Sequence, residues 1–185
     1  MIVTDLKNGV IFKDGGHPFL VLKYQHIKVS RGSAQVKVRA KNIISGQVLD
    51  KTWQSGATVE DAYIENKTAQ YLYKDNGYVF MDPTTYDQFT IPEDVIGESS
   101  KFLKDGESVI VKYFEGQPYS IDLPISMVFD IKYTEPGFKG NTVTNSYKDA
   151  ELDNGTKVKV PMFVKIGDKI KVDTRTGEYL SKAQG

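Results

Sequence analysis

Nearly every stretch of this chain alternates polar with apolar side chains and is cut after a few residues by a glycine-bearing turn, a cadence that leaves little room for anything but short antiparallel strands. Gln35-Val36-Lys37-Val38-Arg39-Ala40-Lys41 and Thr156-Lys157-Val158-Lys159-Val160 show the two-residue period. The cuts fall at Asp14-Gly15-Gly16, Ser45-Gly46, Asp75-Asn76-Gly77, Asp105-Gly106, Glu115-Gly116, Asp153-Asn154-Gly155 and Thr176-Gly177, residues that tolerate the backbone of tight turns. The expected class is all-β. One helix is expected, over residues 92–104: Pro92 and Glu93 suit a first turn, and Val95, Ile96, Phe102 and Leu103 form an apolar stripe that Gly97 weakens. So short a segment plugs the open end of a small barrel.

A repeat divides the chain. Val109, Val111, Gly116 and Ser120 recur 61 residues later as Ile170, Val172, Gly177 and Ser181, each set reading strand, turn, strand. Two similar barrels of about 60 residues follow, preceded by a third module of comparable size. The expected boundaries lie near 64 and 127, giving modules 1–64, 65–127 and 128–185.

Charge is unevenly shared among these modules although the chain as a whole is neutral. Lys and Arg number nine against five acidic residues in the first, five against eleven in the second and ten against eight in the third. A basic first module suits a polyanion, and an acidic second one avoids phosphates or faces a basic protein. Residues 15–49 hold Lys23, Lys28, Arg31, Lys37, Arg39 and Lys41 and no acidic residue. Spaced by two, Lys37, Arg39 and Lys41 share one strand face, with Val36, Val38 and Ala40 on the other. That face either tracks phosphates or is an ordinary solvated surface. Beside it, Lys28-Val29-Ser30-Arg31-Gly32-Ser33 reads as a hairpin tip. Ser30 and Gly32 allow the turn and Arg31 projects from it.

Several functional classes are excluded or unsupported. Without cysteine there is no disulfide, thiolate metal site or cysteine nucleophile. No phosphate loop, nucleophile elbow or metal-spaced histidine pair occurs, and His17 and His26 read as surface residues of strands. Glu93, Asp94, Asp105 and Glu107 are the acidic residues from which a hydrolase's acid/base pair would be drawn, and solvation is their preferred role. No catalytic residue, metal or cofactor is assigned. No stretch approaches the roughly 18 apolar residues of a membrane span, and a cytoplasmic monomer is expected.

Towards the carboxyl end the residues become specific. Lys148-Asp149-Ala150, Gly155, Val158, Val160-Pro161, Val164 and Gly167 stand in the spacing of the elongation factor P signature. The likeness extends through Asp5-Leu6-Lys7-Asn8-Gly9, Tyr71-Leu72-Tyr73-Lys74, Phe80-Met81-Asp82 and Gly177-Glu178-Tyr179, so the whole chain resembles that family. The resemblance implies an SH3-like, or KOW-like, first domain followed by two OB-fold barrels in an L-shaped, tRNA-like arrangement. It implies binding to both ribosomal subunits between the peptidyl and exit sites, with Arg31 at the CCA end of peptidyl-tRNA. Lys28, Ser30 and Gly32 would support the tip loop, and Lys37, Arg39 and Lys41 would meet tRNA phosphates. The factor would relieve stalling at consecutive prolines.

Many family members carry Lys-Pro-Gly-Lys-Gly at the tip; here Arg31 replaces the second lysine and Val29-Ser30 replace Pro-Gly. An arginine branch of the family is rhamnosylated there by a glycosyltransferase, so Arg31 is either modified in that way or bare. The loop before the signature approaches exit-site mRNA in the family, which points to Asn145, Ser146, Tyr147 and Lys148. Tyr147 either stacks on a base or packs within a turn. The rival readings are a general single-stranded nucleic-acid binder and a divergent relative serving other stall sequences.

Overall fold

The computed structural model describes residues 1–28, 32, 34–136 and 147–183. Among these residues the strands form three sheets of five. The first holds β1 (Ile11–Asp14), β2 (His17–Ile27), β3 (Gln35–Asn42), β4 (Val48–Gln54) and β5 (Glu60–Asp61) in the order β4-β3-β2-β1-β5. Its pleat sorts the side chains as the sequence requires. Val36, Val38 and Ala40 are fully buried, and with Val3, Leu6, Phe12, Phe19 and Val21 they make the first core. Trp53 packs its edge on Phe12 at 5.7 Å between ring centroids, a favoured aromatic geometry.

The second sheet joins β6 (Ile64–Lys74), β7 (Tyr78–Met81), β8 (Gln88–Ile91), β9 (Ser108–Phe114) and β10 (Gln117–Asp122) in the order β10-β9-β6-β7-β8. The third joins β11 (Ser126–Thr134), β12 (Tyr147–Leu152), β13 (Lys157–Pro161), β14 (Lys169–Asp173) and β15 (Tyr179–Lys182) in the order β13-β12-β11-β14-β15. Counted from its own first strand, each of these two sheets runs 3-2-1-4-5. The 61-residue repeat is therefore one of topology. Val109 and Val111 on β9 are buried as Ile170 and Val172 are on β14, and Gly116 and Gly177 take left-handed φ values of 82° and 74° in the turns that follow.

The expected helix is cut in two. A single α-helical turn, α1 (Glu93–Ile96), ends where Gly97 adopts φ 55°, ψ −137°, and a 3-10 segment runs from Gly97 to Phe102. Backbone of that kind is open to glycine and costly for other residues, so Gly97 stops the helix rather than merely weakening it. Ile96, Phe102 and Leu103 of the expected stripe are buried. Phe102 lies in the third core, with Phe129, Ile131, Leu152, Val160, Val164 and Ile170, its ring centroid 6.1 Å from that of Phe129.

Contacts group the chain into two compact units, Met1–Asn66 with Lys112–Ser120, and Lys67–Val111 with Ile121–Gly185. Within the first, Lys13 Nζ donates to Glu115 Oε1 over 2.7 Å, which raises the lysine's pKa. Within the second, Lys104 bridges to Asp153 at 2.9 Å, and Asn154 Nδ2 donates to the Lys101 carbonyl at 2.7 Å. Among the described residues no helix is long and apolar enough to cross a membrane.

Candidate nucleic-acid interface

The outer face of the first sheet takes its geometry from a break in strand β2. Val21 pairs with Ala40 and Lys23 with Arg39, so Leu22 is an extra residue in a β-bulge. The bulge reverses the alternation beyond it. Tyr24 turns to the core side, where Lys7 Nζ lies 4.0 Å above its ring, and Lys23 and Gln25 turn outward beside Arg39 and Lys37. On the far side β4 sets Asp50 opposite Arg39 and Thr52 opposite Lys37. Lys23, Arg39 and Asp50 thus form one row across three strands and Gln25, Lys37 and Thr52 the next.

Between these rows lies a cleft of about 180 Å³ lined by Lys23, Gln25, Lys37, Arg39 and Asp50. Lys37 is half-buried and its ammonium stands 3.9 Å from Asp50 Oδ2. At that distance the pair is not hydrogen-bonded. Arg39 and Lys41 are exposed, and Lys41 sits outside the cleft opposite Leu20 and Val48. Of the three residues expected to meet phosphates, two therefore share the cleft and the third extends the cationic face along β3.

Pairing of β2 with β3 continues to Ile27 and Gln35, the last rung of a hairpin. Lys28 and Gly32 in the connecting segment are exposed. Ser30 and Arg31 lie outside the described residues, as do Asn145 and Ser146 of the second expected contact loop. Tyr147 opens β12 opposite Pro161 and is 57% exposed, which sets aside its packing within a turn. Lys148 is half-buried, and its ammonium donates to the Glu135 carbonyl at 2.6 Å. That ammonium is already held by the protein's own backbone.

His26 Nε2 and Ser55 Oγ are 2.9 Å apart, a hydrogen bond within the first domain, and His17 is exposed. Glu93 is engaged by Lys74 at 3.0 Å. Among the described residues no group of three His, Asp or Glu side chains is placed to hold a metal.

The sheets and the cleft define a class: a protein of three β domains, the first with a row of cationic side chains on its outer face. Comparison with known sequences makes the class specific. The family model for the elongation factor P KOW-like domain matches residues 2–59, that for the elongation factor P OB domain residues 64–121, and that for the elongation factor P C-terminal domain residues 127–182. The chain is 43% identical over 180 residues to elongation factor P of Kocuria rhizophila, covering 97% of this chain and 96% of the relative. It is 41% identical over 181 residues to that of Acidothermus cellulolyticus, covering 97% of each. Among solved structures, the eukaryotic translation initiation factor 5A from Methanococcus jannaschii superposes with a TM-score of 0.54 at 24% identity, over 66% of this chain and 93% of that one. This last likeness concerns the fold. The chain belongs to the elongation factor P family, the bacterial translation elongation factors.

Proposed function

We propose that this translation factor works on the ribosome between the peptidyl and exit sites, where it steadies peptidyl-tRNA and speeds peptide-bond formation at consecutive prolines. The observation that carries the reading is the β2–β3 hairpin. An acid-free run of 35 residues, 15–49, supplies the cationic sheet face and, past the Ile27 and Gln35 rung, the segment that holds Arg31. Lys37, Arg39 and Lys41 engage tRNA phosphates, and Arg31, supported by Lys28, Ser30 and Gly32, reaches the CCA end. The boundaries 1–64, 65–127 and 128–185 then separate a domain that meets tRNA from two that meet the ribosome. In the third, Asn145, Ser146 and exposed Tyr147 approach exit-site mRNA.

The factor acts without an acid or base of its own. Proline reacts slowly because its ring restricts the backbone and its secondary amine attacks from a poor position. Holding the acceptor end in a near-attack geometry lowers such a barrier by orientation alone, by several kcal/mol. Arg31 serves with its guanidinium bare or rhamnosylated by a glycosyltransferase, and intact mass of protein from its native host, a cytoplasmic monomer in this reading, distinguishes the two. The test of function is Arg31→Ala. Rescue of a triple-proline reporter is expected to disappear while ribosome binding persists, and full rescue by the variant would overturn the reading.

A further inference from the structure

The cleft on the first sheet carries an acceptor among its donors. Lys23, Lys37 and Arg39 offer only N–H groups and Gln25 an amide that both donates and accepts without charge, and a site built from these alone would take any phosphate. Asp50 stands in the same cleft as its carboxylate. For phosphate binding alone this residue is a fault, because its charge repels the ligand and neutralises part of the field. Folding gains little from it, since cross-strand charge pairs such as Arg39 and Asp50 contribute modestly. Its side chain is 57% exposed and its pairing with Lys37 spans 3.9 Å, the weak, solvent-screened sort of ion pair.

An acceptor set beside phosphate donors fits a ligand that carries a donor next to its phosphate. RNA is such a ligand, since each ribose bears a 2′-hydroxyl beside the phosphodiester. The dimensions agree. About 180 Å³ is smaller than the pockets that enclose whole small molecules, and it suits a backbone phosphate and the edge of a sugar. The row Lys23, Arg39, Asp50 crosses three adjacent strands, cation beside cation beside carboxylate. Along a nucleic-acid strand a sugar likewise lies next to each phosphate.

We propose that this cleft binds one RNA phosphodiester together with the neighbouring ribose, with Lys23, Lys37 and Arg39 on the phosphate and Asp50 accepting the 2′-hydroxyl. Asp50 thereby gives up some affinity for polyanions in general in exchange for preference for RNA. The inference rests on the reading that this sheet face meets tRNA, and it names what part of the tRNA backbone the face reads.

The experiment uses the full chain and fluorescence anisotropy at low salt. One probe is an RNA hairpin ending in single-stranded CCA, the other the same hairpin with every 2′-hydroxyl methylated, which keeps the A-form helix and removes the donor. Wild-type protein is expected to favour the unmodified hairpin by roughly ten- to a hundredfold, the effect of one hydrogen bond to a charged acceptor. Asp50→Ala should bind the two alike, and Asp50→Asn, which keeps an acceptor oxygen, should retain part of the preference. Circular dichroism checks that both variants fold. If Asp50→Ala tightens both probes equally and leaves their ratio unchanged, the carboxylate only repels and the proposal fails; it fails too if wild type shows no preference. Full rescue by Arg31→Ala would sink the proposed function and leave this ratio standing. An unaltered ratio alongside lost rescue would sink this inference alone.

Discussion

Asp173 shows how much one side chain can organise. It closes strand β14, only 7% exposed. Its carboxylate accepts from the Arg175 backbone N–H at 2.8 Å, from Nε at 3.1 Å and from Nη2 at 2.7 Å, while its own carbonyl accepts from Gly177 N–H at 2.8 Å. The turn between β14 and β15 is thus wound about one residue. These donors, with the Arg175 guanidinium first among them, favour the ionised form and lower the pKa from 3.8 to about 2. The native state therefore binds fewer protons than the unfolded chain between these values. The stabilisation is complete above pH 3.8 and is lost as pH falls to about 2. Asp173→Asn should lower the melting temperature at neutral pH, and its deficit against wild type should shrink through that window and close at its acid end. A deficit that stays constant with pH would mean that the carboxylate's charge contributes nothing.

Among the elements, the β7–β8 pairing imposes a tight limit on side-chain size. Gly77 is buried just before β7, where a Cβ would lie 2.6 Å from Thr90 Cγ2 and 3.0 Å from the Ile91 carbonyl oxygen. Gly77→Ala is expected to destabilise the protein by about 1–3 kcal/mol, the usual cost of overpacking. Thr90→Ser removes the nearer obstacle and should recover part of the loss in the double variant, a non-additivity that chemical denaturation reads directly. Additive losses would place the cause elsewhere. The sequence marked Asp75-Asn76-Gly77 as a turn for its conformational tolerance, whereas the structure makes Gly77 a matter of space. In strand β2, whose extent the sequence showed, the bulge escaped. Strict alternation from Phe19 and Val21 puts Lys23 on the core side, and nothing in the composition marks Leu22 as the bulge that turns it outward. Asp50 was missed because it follows the acid-free run by a single residue and joins the basic face only through its register with Arg39. Val36, Val38 and Ala40, set by period alone, were legible throughout. The residues that revealed the family also prove architectural: Ala150, Val158, Val160 and Val164 are buried in the third core. Recognition came from residues that hold the fold.

At the level of the whole molecule, three modest cores must each hold with little interior, because small β domains bury a smaller fraction of their surface than large ones. Segments that reach beyond their own sheet then matter more than their length suggests. Residues 101–104 span the end of the broken helix, and the second sheet continues only at Ser108, yet Phe102 is anchored in the third core. The Phe102 ring meets Phe129, the Lys101 carbonyl accepts from Asn154 and Thr156, and Lys104 Nζ reaches Asp153 and the Val128 carbonyl. Repeat periodicity revealed two copies of one topology but gave no sign of this linkage, since Phe102 fitted equally well as the plug of its own barrel. Phe102→Ala removes a buried ring and is expected to cost about 3 kcal/mol. The loss should fall within the compact unit that contains it. Native-state hydrogen exchange should show the amides of Val158, Val160, Ile170 and Val172 opening faster in the variant, with those of Val36 and Val38 in the first sheet unchanged. Phe12→Ala, placed in the first core, should reverse the pattern. If either substitution accelerates both sets alike, the chain opens as one cooperative block, and the two units defined by its contacts are not units of folding.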